Sequence, residues 1–121
     1  MAVILIVEDE FFIRGVAEVM IQGWGHQTLS ATNQDEALAL LRSPQRIDAL
    51  FTDLRLKTSA LDGCELARQA LELRPELRVL YTTGNPLTDP VRALFVGGAH
   101  FLAKPYTPRR LQDAVEGMLA A

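Results

Sequence analysis

Residues 3–10 read VILIVEDE: five apolar residues, Val3 to Val7, followed at once by Glu8, Asp9 and Glu10. A run of that length and composition predicts a buried β-strand, because branched side chains suit a pleated surface covered on both faces. Acids crowded at the end of such a strand repel one another and lose hydration. A chain that keeps them there has something for them to hold.

Four more short runs suit strands, Gln27–Ala31, Ala49–Thr52, Arg78–Thr82 and Ala99–Ala103, and helical patterns lie between them. Ile13, Val16, Ala17, Met20 and Ile21 follow the i, i+3, i+4, i+7, i+8 stripe, and Leu111, Ala114, Val115, Met118 and Leu119 repeat it. Both stripes predict core-facing helices. Gln34–Arg42, Asp62–Leu73 and Thr88–Val96 fill the remaining gaps, with Asp89-Pro90 and Thr107-Pro108 predicting an N-cap followed by proline at the first helical position. Gly84-Asn85-Pro86-Leu87 and Gly97-Gly98 bound the fourth helix closely, so it is expected to be short and mobile. The alternation is (βα)5. Continuous apolar strands in that alternation imply an α/β fold, a parallel sheet between two helical layers.

A chain of 121 residues, 49% hydrophobic and 22% charged, predicts one domain spanning residues 1–121 around a single core. Net charge −3, a pI near 5.3 and scattered arginines argue against direct nucleic-acid binding. The apolar run from Ala2 to Val7 is too short for a signal peptide or a span, so no membrane insertion and a cytoplasmic location are expected. Cys64 is the only cysteine, and Cys64, His26 and His100 show no metal-ligand spacing.

In an open parallel α/β sheet the ligand crevice lies beyond the carboxyl ends of the strands. The residues found there are Glu8-Asp9, Asp53, Thr82-Thr83-Gly84 and Lys104-Pro105. Singly, each has a plain role: Asp53 can cap a turn, Thr83 can satisfy a carbonyl, and Lys104 can be a solvated loop charge. Jointly, Glu8, Asp9 and Asp53 sum to −3, which Lys104 and one divalent cation together neutralise. Hard carboxylate oxygens without thiolate or imidazole favour Mg2+ or Mn2+ over zinc.

In this order and at these spacings, Glu8-Asp9, Asp53, Thr83-Gly84 and Lys104-Pro105 resemble the receiver domain of two-component response regulators, and Gly97-Gly98-Ala99 matches the family's Gly-Ala before the last strand. The resemblance covers essentially the whole chain and implies a flavodoxin-like (βα)5 three-layer sandwich with strand order 2-1-3-4-5. It implies that Asp53 accepts a phosphoryl group from a histidine kinase or a histidine phosphotransfer protein. Mg2+ would be held by Asp9, Asp53 and the backbone carbonyl of Arg55, with Glu8 acting directly or through water. Lys104 and the Thr83 hydroxyl would contact the phosphoryl oxygens, and Lys104-Pro105 would be a cis peptide. Thr83 and Phe101 would form the switch, read by an unidentified downstream protein on the face built from the fourth helix, fifth strand and fifth helix, where Leu87, Val91, Phe95 and Tyr106 are expected. Such a chain is no enzyme toward other molecules; it catalyses only its own phosphorylation and dephosphorylation.

Two features depart from the family pattern. The stretch from Asp53 to Gly63 is about two residues longer than the usual loop, with Lys57 where proline is common, and it borders the implied metal, so the resemblance does not fix the path of the Arg55–Asp62 loop or the direction of the Arg55 carbonyl. Haloacid dehalogenase-like phosphohydrolases also use a strand-end aspartate, but they need a second aspartate where this chain has Arg55. A degenerate, unphosphorylated interaction module is the other competing class, and here all the chemical positions are filled. With Ala121 directly after the last helical stripe, the single-domain type is expected, and three outputs stay open: a stand-alone regulator, a phosphotransfer intermediate or phosphate sink, and a receiver excised from a larger protein.

Overall fold

A computed structural model describes residues 1–56 and 62–120. The elements are β1 (Val3–Val7), α1 (Phe11–Gly23), β2 (Gln27–Ala31), α2 (Gln34–Arg42), β3 (Ala49–Asp53), α3 (Asp62–Leu73), β4 (Arg78–Thr83), α4 (Asp89–Arg92), β5 (His100–Ala103) and α5 (Pro108–Ala120). The strands form one parallel sheet in the order β2-β1-β3-β4-β5, as expected for a flavodoxin-like sandwich.

Strand alternation divides the core into two layers. Ile4, Ile6, Phe51, Leu80 and Leu102 pack with Ala17 and Ile21 of α1 and Leu111, Val115 and Met118 of α5. Leu5, Val7, Leu50, Val79 and Tyr81 pack against α2 and α3 on the other side. The central strands β1 and β3 are buried along their whole length, which is why they read as unbroken apolar runs, whereas the edge strand β2 is partly exposed. Local chemistry sets the helix starts. Asn33 Oδ1 accepts from Glu36 N–H at 2.8 Å while the Glu36 carboxylate accepts from Thr32 N–H, and Thr107 Oγ1 accepts from Arg110 N–H ahead of Pro108.

Three expectations need correction. The stretch Thr88–Val96 is helical only over Asp89–Arg92, with Thr88 rather than Asp89 as the N-cap and Pro90 one position later than expected. The cause is tertiary. Val96 N–H donates to the buried Tyr81 hydroxyl at 3.2 Å, and Phe95 places its ring 4.3 Å from that of Tyr81, so after Arg92 the α-helical bonds give way to turn bonds from Leu94 N–H to Val91 O and from Phe95 N–H to Arg92 O. Second, within the α1 stripe only Ala17 and Ile21 are fully buried, and Val16 is 55% exposed. The helix is apolar on more than one side, and the side around Ala17 and Ile21 is the one that meets the sheet. Third, β3 and β4 each extend one residue further than expected, which brings Asp53 and Thr83 inside the ladder, and β5 starts one residue later, at His100.

Gly63 joins α3 to the end of β3. Its N–H donates to Leu54 O at 3.0 Å, and a Cβ at this position would collide with the Asp53 carbonyl oxygen and lie 2.8 Å from Leu54 Cα. Backbone cannot yield as a flexible side chain can, so the contact forces α3 away from β3. Gly63→Ala should destabilise the fold by about 2–3 kcal/mol, read as a lower urea midpoint at unchanged m value.

Candidate functional site

At the carboxyl edge of the sheet, β1 and β3 are neighbours, so the acids that follow Val7 stand beside Asp53, the last residue of β3. Glu8 and Asp53 are buried and Asp9 is half-buried, and each offers a carboxylate oxygen within 4.8 Å of the others. At an effective dielectric constant near 20, each pair of charges at that spacing repels by on the order of 3 kcal/mol.

Lys104 answers this repulsion from β5. Its Nζ donates to Glu8 Oε1 at 2.5 Å and to Asp53 Oδ2 at 2.6 Å. The other carboxylate oxygens are held by backbone: Glu8 Oε2 accepts from Glu10 N–H at 3.1 Å, and Asp53 Oδ1 accepts from Arg55 N–H at 3.0 Å. Arg14, one turn into α1, donates to the Glu8 carbonyl at 2.9 Å and so ties the helix to the acidic loop. The Lys104-Pro105 peptide is cis, as expected.

Thr83 is buried at the end of β4, opposite Ala103, and its hydroxyl accepts from Asn85 N–H at 3.2 Å. Phe101 pairs with Tyr81 in the ladder and its ring centroid lies 6.1 Å from that of Phe95, completing a row Tyr81, Phe95, Phe101. Leu87, Val91 and Phe95 are half-buried against the α2/α3 layer, and Tyr106 against the α1/α5 layer, rather than standing out on a surface. Lys57 lies outside the described residues.

The family model for the response regulator receiver domain matches residues 4–116. The chain belongs to this family. It is 33% identical over 117 residues to the nitrogen assimilation regulatory protein NtrX of Azorhizobium caulinodans and 29% identical over 118 residues to the transcriptional regulatory protein ZraR of Salmonella typhimurium, covering 96% and 97% of this chain. It spans only 26% of the length of each of those relatives. Among solved structures, a response regulator receiver protein from Sinorhizobium medicae superposes with a TM-score of 0.89 at 28% identity, covering 99% of this chain and 95% of that one.

In this receiver domain the strand-end residues read from the sequence, Glu8, Asp9, Asp53 and Lys104, form one contiguous cluster. The sequence reading did not anticipate the outer side of α1. Phe11 is 71% exposed, Phe12 81% and Val19 70%, and with Val16 they form an apolar surface, with the Arg14 guanidinium 5.7 Å from the Phe11 ring centroid at its edge. Phe12 and Val16 also wall a groove of about 510 Å³ that reaches Gly84, Lys104 and Tyr106, directly beside the carboxylates. The signal was present in the Phe11-Phe12 pair, since a helix with apolar residues outside its core stripe has something else to cover.

Burial holds the Glu8 carboxyl above its ordinary value of 4.5, outweighing the opposing bond from Lys104. Lys104 is itself desolvated, yet its bonds to Asp53 and Glu8 raise it. The two directions agree physically, because one ammonium gains from two acids while Glu8 receives only a share of it. A raised carboxyl value means that the folded state keeps the proton to higher pH than the unfolded chain does. Glu8's contribution is therefore fully present below 4.5 and is lost as pH rises through its folded value. The contribution of Lys104 persists until pH rises through a folded value above 10.5. In metal-free buffer at mildly alkaline pH, Glu8→Gln should melt about 3–5 °C above the parent, with the gap closing as pH falls through the carboxylate range; calorimetry across pH checks it.

Proposed function

We propose that this receiver domain takes a phosphoryl group on Asp53 from a phosphohistidine donor, a histidine kinase or histidine phosphotransfer protein, in a reaction that needs a divalent cation. The reading is carried by one observation: the acid ending the central strand is clamped by Lys104 while two further carboxylates lie within 4.8 Å of it and of each other. Three hard carboxylates of net charge −3 against a single ammonium suit Mg2+ or Mn2+. Asp9, Asp53 and the Arg55 carbonyl would hold the ion, with Glu8 acting directly or through water. The ion supplies charge neutralisation on the transferring phosphoryl oxygens.

The side chains do the rest. Arg55 N–H fixes one Asp53 oxygen and Lys104 the other, so the carboxylate is oriented before a donor arrives. As the bond from phosphorus to the imidazole nitrogen breaks and the bond to the Asp53 oxygen forms, Lys104 can follow the negative charge onto the phosphoryl group, and the Thr83 hydroxyl can leave Asn85 N–H to donate to it. The domain thus acts only on its own phosphorylation and dephosphorylation. The donor's helices would seat on the apolar α1 surface and its groove, which open beside Lys104. Output would pass from Thr83 through Phe101 to the face formed by α4, β5 and α5 and its protein partner. A cytoplasmic location suits this chemistry, and no helix among the described residues is long and apolar enough to cross a membrane. An acidic chain of net charge −3 favours protein over nucleic acid as the direct partner.

Incubation with acetyl phosphate and Mg2+ should add one phosphate, and both Asp53→Asn and EDTA should abolish the addition. Labelling of Asp53→Asn at the parental rate would place the acceptor elsewhere. For docking, Phe12→Asp should slow transfer from a histidine-kinase donor about tenfold more than it slows labelling by acetyl phosphate, the size expected for losing an aromatic anchor. Equal slowing of both would move the donor's seat off α1.

A further inference from the structure

One layer beneath the carboxylates, the fold leaves a hydroxyl without a partner. Thr82 is 3% exposed, and its Oγ1 makes no hydrogen bond among the described residues. Buried hydroxyls are nearly always satisfied, by protein or by an ordered water. Thr82 stands opposite Asp53 in the ladder, next to Leu80, whose side chain lies in the α1/α5 layer, whereas Thr83 follows Tyr81 toward the opposite layer. Its hydroxyl is therefore separate from the one that faces the proposed phosphoryl site.

A small, partly open void of about 10 Å³ adjoins Thr82, walled by Phe51 and Ile13 and by three further polar residues, Glu8, Arg14 and Tyr106. That is room for one water molecule and no more, and a water needs two to four polar partners to stay. Arg14 gives one of its five N–H groups to the Glu8 carbonyl and faces Glu18 Oε1 with Nε at 3.6 Å, which leaves others to give. Tyr106 lines the same void, with its ring centroid 6.3 Å from that of Phe51, which also walls it.

We propose that this void is a built water site, in which one ordered water joins Thr82 Oγ1 to the Tyr106 hydroxyl and braces the Glu8 corner from below, making Thr82 and Tyr106 positioning residues for the acidic cluster. The water supplies the partner that Thr82 lacks, and it links β4 to the segment after Lys104 without a direct side-chain bond. Its consequence for cation binding rests on the function proposed above. Its existence does not.

Melting of the metal-free protein separates the two. Thr82→Val keeps the shape and removes the hydroxyl, and should lower the melting temperature by about 3–6 °C. Tyr106→Phe should cost a similar amount alone but add almost nothing on top of Thr82→Val, because both remove the same water; Thr82→Ser should keep the coupling. A Thr82→Val protein as stable as the parent or more so, or strictly additive single variants, would mean a dry void and overturn the proposal. In a Mg2+ titration followed by thermal shift, Thr82→Val should weaken Kd by about tenfold, the usual size for an outer partner of a ligand. An unchanged Kd in a protein that shows the coupling overturns the positioning role and leaves a purely structural water. If the parent itself shows no Mg2+-dependent rise, the functional reading fails while the metal-free cycle still decides the water.

Discussion

The ammonium of Lys104 between Glu8 and Asp53 is the contact on which the carboxyl edge of this sheet depends. Strand order makes it necessary. With β1 beside β3 and Val7 paired with Thr52, the acids that follow β1 meet the Asp53 that ends β3. The ammonium comes from β5, two strands away from β3, so Lys104 has to reach across the end of β4. The crossing passes close over Gly84, just past the end of β4: a Cβ built there would lie 3.9 Å from Lys104 Cβ, an ordinary contact. Lys104 N–H also donates to Thr83 O at 2.9 Å, which fixes the root of the side chain where it must start.

One ammonium cannot neutralise three acids. The residue of negative charge is kept in a partly desolvated place, where an ion pair returns less than it costs unless its geometry and its other hydrogen bonds are good. Here they are good. Each buried carboxylate has a backbone N–H on its remaining oxygen, Glu10 for Glu8 and Arg55 for Asp53. The fold thus holds Glu8 and Asp53 in place without neutralising the three acids, and a fixed charge deficit is what a cation site requires.

Much of this was legible in the sequence because it rests on local rules. Five apolar runs gave the strands, and the parallel-sheet rule pointed to their carboxyl ends, where Glu8, Asp9, Asp53 and Lys104 do meet. Contacts between distant residues were not legible. The shortening of α4 depends on the Tyr81 hydroxyl taking Val96 N–H, a bond between residues that no periodicity connects. The exposure of Val16 depends on which side of a widely apolar helix meets the sheet, and the stripe alone allowed the wrong side. Thr82 was overlooked beside Thr83 because two adjacent hydroxyls look alike in a sequence and differ only in the face to which the strand turns them.

That alternation orders the whole edge. Asp53 follows Phe51 and Thr82 follows Leu80 on the α1/α5 side, and Glu8 and Lys104 meet Asp53 there, so the charged chemistry occupies one face of the sheet. Tyr81, Phe95 and Phe101 belong to the opposite layer, and Thr83 is in phase with them. In the proposed switch, a signal from Asp53 to that aromatic row would not pass through the packed middle of the sheet, where close-packed side chains leave no second arrangement. It would go round the end, where Thr83 is the last residue of β4 and its hydroxyl has a weakly held alternative partner in Asn85 N–H. In the proposed switch, then, the short α4 is an advantage: the segment carrying Phe95 is held by a few turn bonds and by Val96 N–H on the Tyr81 hydroxyl rather than by several helical turns, and a small displacement at Thr83 has little structure to break before it reaches the surface.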